Sequence, residues 1–441
     1  MQTIAPYANL QRYSPECAHH LGRISASLAQ IRAADVWPAS AEALRFAAQV
    51  GTIHYSTLIE GNRLGVLEAE RAARRQLDAK TKAEIELVDY VNALDLLDRR
   101  LEADGLELSE DLFKAIHGAA TNGLGTPEGP FKPHHEGEWR DGEAGVWDEL
   151  AQAFVHDGAP QAEVRPRMLG LIEWIESVEQ RPIEWPSAVV AGVVHYNVAE
   201  VHPFADGNGR TARLLTTAVL MRHDLAPGRL FNFDAHYGRD KDAYLAALRS
   251  VRAQTLNLET WMRYFLDGLA TEYERVEHEI DRLRNVGRSR GRGPLQLTEA
   301  QQRGITELVL RGISEFSRRD YEHAAGVGRN SATRELRTLA EAGIVKGLGE
   351  GSTRRYRFAE SATGGSSADR GGGRPREWTG ERIERELRAL VGSATVFPSV
   401  EQFDTAGRRD LYNAIQRYGG SPAWAERVGV TVRTRGPSKR K

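Results

Sequence analysis

The chain has a single cysteine in 441 residues, Cys17, so it can close no internal disulfide and offers no cysteine-rich metal site. A reducing compartment suits it. It also lacks any run of the roughly 18 apolar residues that a membrane-spanning helix needs, and its opening MQTIAPYANL has no basic segment leading into an apolar core. No membrane association is expected, and the cytoplasm is the expected location. Net charge is scarce too: 59 basic against 61 acidic residues leave −2, so the overall balance points to no partner, although local runs can. What is present is globular, with 41% apolar and 27% charged residues in a length that predicts two to four domains.

Residues 202–213, HPFADGNGRTAR, gather a base, a carboxylate, glycines, an amide and two arginines. The GNG run is a poor helix former and is expected to be a loop. The apolar spacing of TARLLTTAVLM then predicts a helix. Free N–H groups at such a helix start attract anions, and Gly207 and Gly209 allow backbone to approach a phosphate closely. Arg210 and Arg213, one helical step apart, can fork onto phosphate oxygens. Asp206 is a hard oxygen ligand suited to Mg²⁺ beside nucleotide phosphates. His202 carries a side chain that titrates near 6.5 in general and can accept a proton from an attacking hydroxyl. Taken singly, each of these residues is more often a turn or a structural group. Their joint spacing points to in-line attack on a nucleotide phosphate.

The spacing resembles the Fic family signature HxFx(D/E)GNGRxxR at His202, Phe204, Asp206, Gly207, Asn208, Gly209, Arg210 and Arg213. The resemblance implies a mainly α-helical fold with a small β-hairpin flap, and transfer of AMP from ATP to a protein hydroxyl of Ser, Thr or Tyr. In that pattern His202 is the general base and Asp206 the Mg²⁺ ligand. Asn208 and Arg210 hold the α- and β-phosphates, Arg213 reaches the γ-phosphate, and Phe204 anchors the loop in the core. Family members often carry two adjacent tyrosines near the adenine; here Tyr244 is followed by Leu245.

Earlier in the chain, STLIEGN resembles the family's inhibitory helix motif (S/T)xxxE(G/N) at Ser56, Glu60 and Gly61. The resemblance implies that Glu60 pairs with Arg213 and takes the place of the γ-phosphate. On local grounds alone Glu60 is a surface carboxylate at a helix end. EAGVWDELAQAFVHDGAP contains two β-capable pieces where the family has its flap, and an ordinary surface hairpin is the plain alternative. The paired His134 and His135 lack helical metal-ligand spacing and are not assigned to a metal. His195, within the nearly all-apolar PSAVVAGVVHYNVAEV, is read as a packed core histidine.

The expected layout is a helical region over 1–105 carrying the inhibitory helix, a catalytic core over 106–281 and a basic linker over 282–294. Residues 295–359 resemble a winged helix-turn-helix, with Arg329, Arg334, Arg337, Arg354 and Arg355 as candidate contacts to duplex DNA. Many such modules bind only protein. A Gly/Ser-rich linker follows over 360–375, then a small helical module over 376–430 that resembles the homing-endonuclease-associated repeat, and a basic tail over 431–441. The rival readings are a Fic-type enzyme that removes AMP and a DNA-binding regulator whose core senses nucleotide or modifies only itself. A homodimer is left open.

Overall fold

The computed structural model describes residues 14–122, 136–143, 145–148, 153–180, 182, 184–251, 257–287, 297–349, 354–359, 380–391 and scattered positions within 397–430. The expected Gly/Ser-rich linker and basic tail lie outside these residues, as do 288–294 of the expected basic linker and His134 and His135. The chain divides into two compact units, residues 1–362 and 363–441.

The first unit is mainly helical. It opens with α1 (Pro15–Ala33), α2 (Pro38–Ile59), α3 (Val66–Ala73), α4 (Lys82–Asp104) and α5 (Glu110–Thr121). Helix α2 starts on a proline at its first turn, which loses no hydrogen bond there, and buries Leu44, Ala48, Ile53 and Ile59. Glu60 caps its end and Gly61, at φ +94°, takes the chain out. Asn62 then fixes the exit: its amide donates to Ala83 O and Glu86 Oε2, both at 2.8 Å, and its Oδ1 accepts the Leu64 N–H. The end of α2 is therefore anchored to α4.

Two short strands, β1 (Gly145–Asp148) and β2 (Ala153–Asp157), pair antiparallel from Gly145↔Asp157 to Asp148↔Ala153, with a bulge after Val146. They match the two β-capable pieces of the sequence. Helices α6 (Gln161–Glu179), α7 (Ser187–Val201) and α8 (Asn208–Arg222) follow. Helix α7 is almost wholly buried, as its apolar sequence requires, and packs against α8, α6 and a later helix over Glu259–Gly287. Two short helices come next, α9 (Asp234–Arg239) and α10 (Lys241–Arg249), separated at Asp240, which leaves helical backbone and caps the second.

Helix α11 (Glu259–Gly287) packs along α1 and runs through residues 282–287, the start of the expected linker. Leu283 is buried there and Arg282 donates to Val309 O at 3.0 Å, so these residues have packing partners that a linker lacks. The remaining elements of this unit are α12 (Glu299–Leu310), β3 (Glu315–Ser317), α13 (Arg318–Ala325), α14 (Arg329–Glu341), β4 (Val345–Leu348) and β5 (Arg355–Phe358). Their sheet order is β3-β5-β4, antiparallel throughout. Gly326 in left-handed backbone ends α13, and α14 begins at Arg329.

The second unit has α15 (Gly380–Val391) and a small core of Ile383, Leu387, Phe397, Phe403, Leu411, Ile415 and Trp424. Glu384 ties it together through Arg388 and Arg427. Among the described residues no helix is long and apolar enough to cross a membrane.

Candidate active site

The site begins where α7 ends. His202 caps that helix in left-handed backbone (φ 54°, ψ 57°), and its Nδ1 lies 3.3 Å from Ala199 O of the same helix. Arg140 fixes the turn: its buried guanidinium donates to His202 O at 2.8 Å and to Val201 O at 3.4 Å, and to Ala159 O and Gly142 O. A cation on the last carbonyls of a helix also suits the helix dipole. Burial lowers the Arg140 pKa from its ordinary value, a measure of how far it has been taken out of water. Gly158 completes the socket, since a Cβ there would meet the His202 Cβ at 2.9 Å.

The loop 203–207 is built on Phe204 and Asn208. Asn208 accepts from Phe204 N at 2.9 Å and donates to Phe204 O at 2.8 Å, closing the loop with one side chain. This corrects the expectation that GNG is loop. Helix α8 starts at Asn208 with Gly207 (φ 73°) as its cap, because the Asn208 amide supplies the bonds that the poor helix formers do not. Phe204 is fully buried and stacks on His117, ring centroids 3.8 Å apart. Asp206 uses Oδ1 to accept the Gly207 N–H at 2.6 Å.

Helix α8 then presents its N-terminus and two buried arginines. Arg210 donates from Nη1 to Ala120 O at 3.0 Å, while its buried Nε has no hydrogen-bond partner among the described residues. Arg213 is held from two sides: Nε donates to Ser56 Oγ at 2.7 Å, and Nη2 donates to Ser56 O at 2.9 Å and to Glu60 Oε1 at 2.8 Å. The expected inhibitory residues Ser56 and Glu60 are thus brought onto Arg213, and Gly61 makes the turn behind them. The Arg213 side chain is fully buried, whereas Glu60 keeps 34% of its side-chain surface. Burial pushes the Glu60 carboxyl up, but Arg213, with Arg210 and Lys241 behind it, outweighs this and holds the carboxyl below its ordinary range. Burial likewise works against the charge on Arg213, and Glu60, Tyr244, Asp234 and Tyr90 overcome it and raise its pKa. Behind the arginine, Tyr90 donates to Asp234 Oδ2 at 3.0 Å, and burial raises the Asp234 carboxyl above its usual range despite Arg213.

Two features mark this as an anion site. Arg213 Nη1 is buried with no hydrogen-bond partner among the described residues, and the Glu60 carboxylate lies so close over Gly209 that a Cβ there would meet Oε1 at 2.3 Å. A carboxylate oxygen thus lies directly over the helix start, where free N–H groups favour negative charge. The site opens on a cavity of about 560 Å³ lined by Glu60, His202, Gly209, Arg213, Lys241 and Tyr244 among others. That volume is in the usual range for a small-molecule site. Leu245, Leu248 and Val251 give the cavity an apolar wall. Tyr244 donates to His195 Nε2 at 2.8 Å, and His195 Nδ1 donates to Thr216 Oγ1 at 2.9 Å, whose own proton goes to Ala212 O. Burial, with Arg213 nearby, lowers the pKa of His195 to about 3 and keeps it neutral, so it is a core histidine that orients Tyr244.

Residues 107–220 match the profile of the Fic/DOC family. The chain carries a Fic domain. Among curated proteins, the protein adenylyltransferase Fic of Nematostella vectensis is 41% identical over 81 residues, 17% of this chain and 18% of that protein. The Fic protein of Drosophila grimshawi is 26% identical over 180 residues, 40% of this chain and 33% of that protein. A Fido domain-containing protein of Dictyostelium discoideum is 34% identical over 86 residues, covering 20% and 55%. The chain therefore aligns with only a minor part of the first two and about half of the third. A Fic family protein from Desulfovibrio desulfuricans, of known crystal structure, superposes with a TM-score of 0.51 at 21% identity, over 81% of this chain and 98% of that one, and shares the fold.

The Fic domain holds His202, Asp206, Asn208, Arg210 and Arg213, while Ser56, Glu60 and Tyr244 reach the same site from outside residues 107–220. Sequence reading missed His117, Arg140 and Gly158, which shape the loop from behind. A buried histidine on the Phe113, Ile116, Ala120 face of α5 was readable from helical spacing. Arg140, in a Gly/Pro-rich stretch, gave no such signal.

The candidate DNA contacts lie apart from this site and differ in their freedom. Arg329, Arg334 and Arg337 are exposed on α14, with Arg337 3.7 Å from Glu341. Arg354 lies over the Tyr356 ring, and Arg355 pairs with Glu315 at 3.0 Å.

Proposed function

We propose that this chain is a Fic-type protein adenylyltransferase held inactive by Glu60. The observation that carries the reading is the Glu60–Arg213 pair over Gly209, at the mouth of a cavity that also holds His202. In this reading ATP lies with its phosphates on the start of α8 and on Arg210 and Arg213, and its base on the Leu245, Leu248, Val251 wall. His202 takes the proton of a target Ser, Thr or Tyr hydroxyl, whose oxygen bonds to the α-phosphorus as the bond to the β-phosphate oxygen breaks and pyrophosphate leaves. Asp206, with one oxygen turned to Gly207 and the other left for a cation, suits Mg²⁺, which would neutralise charge developing on the phosphates. Asn208 contributes by shaping the loop, its side chain being engaged with Phe204.

Glu60 acts by competition. It holds the guanidinium that the γ-phosphate needs, so bound ATP misses the in-line pose. Because Glu60 also faces the cavity with His202, a second activity is favoured by the same geometry, in which Glu60 orients a water for removal of AMP. The elements from α12 to β5 support a winged helix-turn-helix, with α14 entering the major groove of duplex DNA on Arg329, Arg334 and Arg337. The chain carrying Glu60→Gly, incubated with ATP labelled on the α-phosphate with and without cell extract, tests the main reading: a covalently labelled protein band stronger than the parent's is expected, and no band would refute it.

A further inference from the structure

Helix α2 has two ends with different partners. Near its C-terminus Ser56 and Glu60 hold Arg213. Near its N-terminus Ser40 meets α12, with Ser40 Oγ and Thr306 Oγ1 2.5 Å apart and both residues fully buried. Thr306 gives its own proton to Gln302 O, so Ser40 is the donor across the junction. Twenty residues of helix, about 30 Å, separate this bond from the clamp.

Helix α12 is itself firmly part of the C-terminal elements of its unit. A Cβ on Gly304 would meet the Tyr321 ring at 2.8 Å and the Ala325 Cβ at 2.9 Å, so side chains of α13 pack directly on the α12 backbone. Tyr321 then donates to Glu335 Oε2 on α14 at 2.8 Å. A continuous series of packed or bonded residues thus runs from α14 through Tyr321, Gly304 and Thr306 to Ser40.

We infer that docking of α12 on α2 holds the Glu60 end of α2 against Arg213, so that the C-terminal elements set how tightly the site is closed. The inference rests on the inhibitory reading of Glu60. A helix is stiff over this length, and its two ends cannot move independently unless it bends or breaks. In the inhibitory reading the observed arrangement, Glu60 on Arg213, competes with one in which the pair is open, and a contact that favours only the first adds its free energy to it.

The test uses the full chain with Ser40→Ala and Thr306→Val, each of which removes the junction bond with little change of shape, and Thr306→Ser as the control that keeps the hydroxyl. Hydrogen exchange over residues 53–62 should rise about fivefold in the first two, near the worth of one buried hydrogen bond, and stay at the parent level in Thr306→Ser. Label transfer from ATP should rise by a similar factor, the double variant should match either single one, and none should add to the gain of Glu60→Gly. Faster exchange confined to residues 299–310, with 53–62 unchanged, would overturn the inference. Exchange at 53–62 decides it even if no variant transfers label, an outcome that would instead overturn the transferase reading. A variant that fails to fold is replaced by the other of the pair, which breaks the same bond from the opposite helix.

Discussion

His117 donates from Nε2 to the backbone carbonyl of Asp206 across 2.9 Å, because its Nδ1 already accepts the Gly137 N–H at 3.0 Å. Both ring nitrogens are committed to the neutral form, and a proton on Nδ1 would set two donors against each other. Burial, the main cause, lowers the pKa to about 4. The imidazole is thus a brace under the loop rather than an acid or base.

A pH dependence follows. His117 near 4 and His195 near 3 lie below the ordinary value of about 6.5 that the unfolded chain recovers, so unfolding takes up protons in acid. The stability these residues contribute is complete above about pH 6.5 and is lost as pH falls toward the folded values, at up to about 1.4 kcal/mol per pH unit for each histidine. Urea midpoints taken from about pH 7 down to 5 should fall, and His117→Asn should flatten the slope by about one proton. An unchanged slope in that variant would mean that His117 already titrates normally in the folded protein.

The catalytic assignment of His202 is tested by His202→Ala. Transfer should drop by about 10²–10⁴-fold while ATP binding stays within a few-fold, since a general base contributes to the transition state and little to ground-state affinity. Near-parental transfer would remove His202 from the mechanism.

Metal dependence centres on Asp206. Stripping divalent ions with EDTA should abolish transfer and added Mg²⁺ should restore it, whereas Asp206→Ala should leave little to restore. Transfer that ignores both treatments would exclude the metal role.

How much of this was legible beforehand differs by element. Helical patterning, the hairpin strands and the motif residues were readable because each rests on local periodicity or a compact signature. Glu60 was readable only through resemblance, because its partner Arg213 lies 153 residues away and nothing local announces the pair. The start of α8 at Asn208 was misjudged because intrinsic propensity was outweighed by a side chain bonding back to Phe204. The run of α11 through Leu283 was hidden by basic, Gly-containing sequence, since its stabilisation comes from packing and from the distant Val309 carbonyl. The Ser40–Thr306 junction has no sequence signal of any kind.

DNA binding is tested on the full chain. Duplex DNA affinity should fall steeply with salt, and the double change Arg329→Ala with Arg334→Ala should weaken binding and reduce the salt slope by about two, as two phosphate contacts are lost. Salt-insensitive binding, or none at low salt, would give α14 a protein partner.

The most direct test of the account is the rate of AMP transfer from α-labelled ATP by Glu60→Gly against the parent. Removing the carboxylate frees Arg213 for the γ-phosphate, and alignment errors of about 1 Å can cost on the order of 10²-fold, so the rate should rise at least about tenfold. Because the Glu60 carboxyl is held below its ordinary range, it stays ionised at neutral pH and the gain should be flat from about pH 6 to 9. Adding Arg213→Ala should erase the gain. Equal rates for Glu60→Gly and the parent, on a folded protein that binds ATP, would contradict the claim that the Glu60–Arg213 pair keeps this site closed.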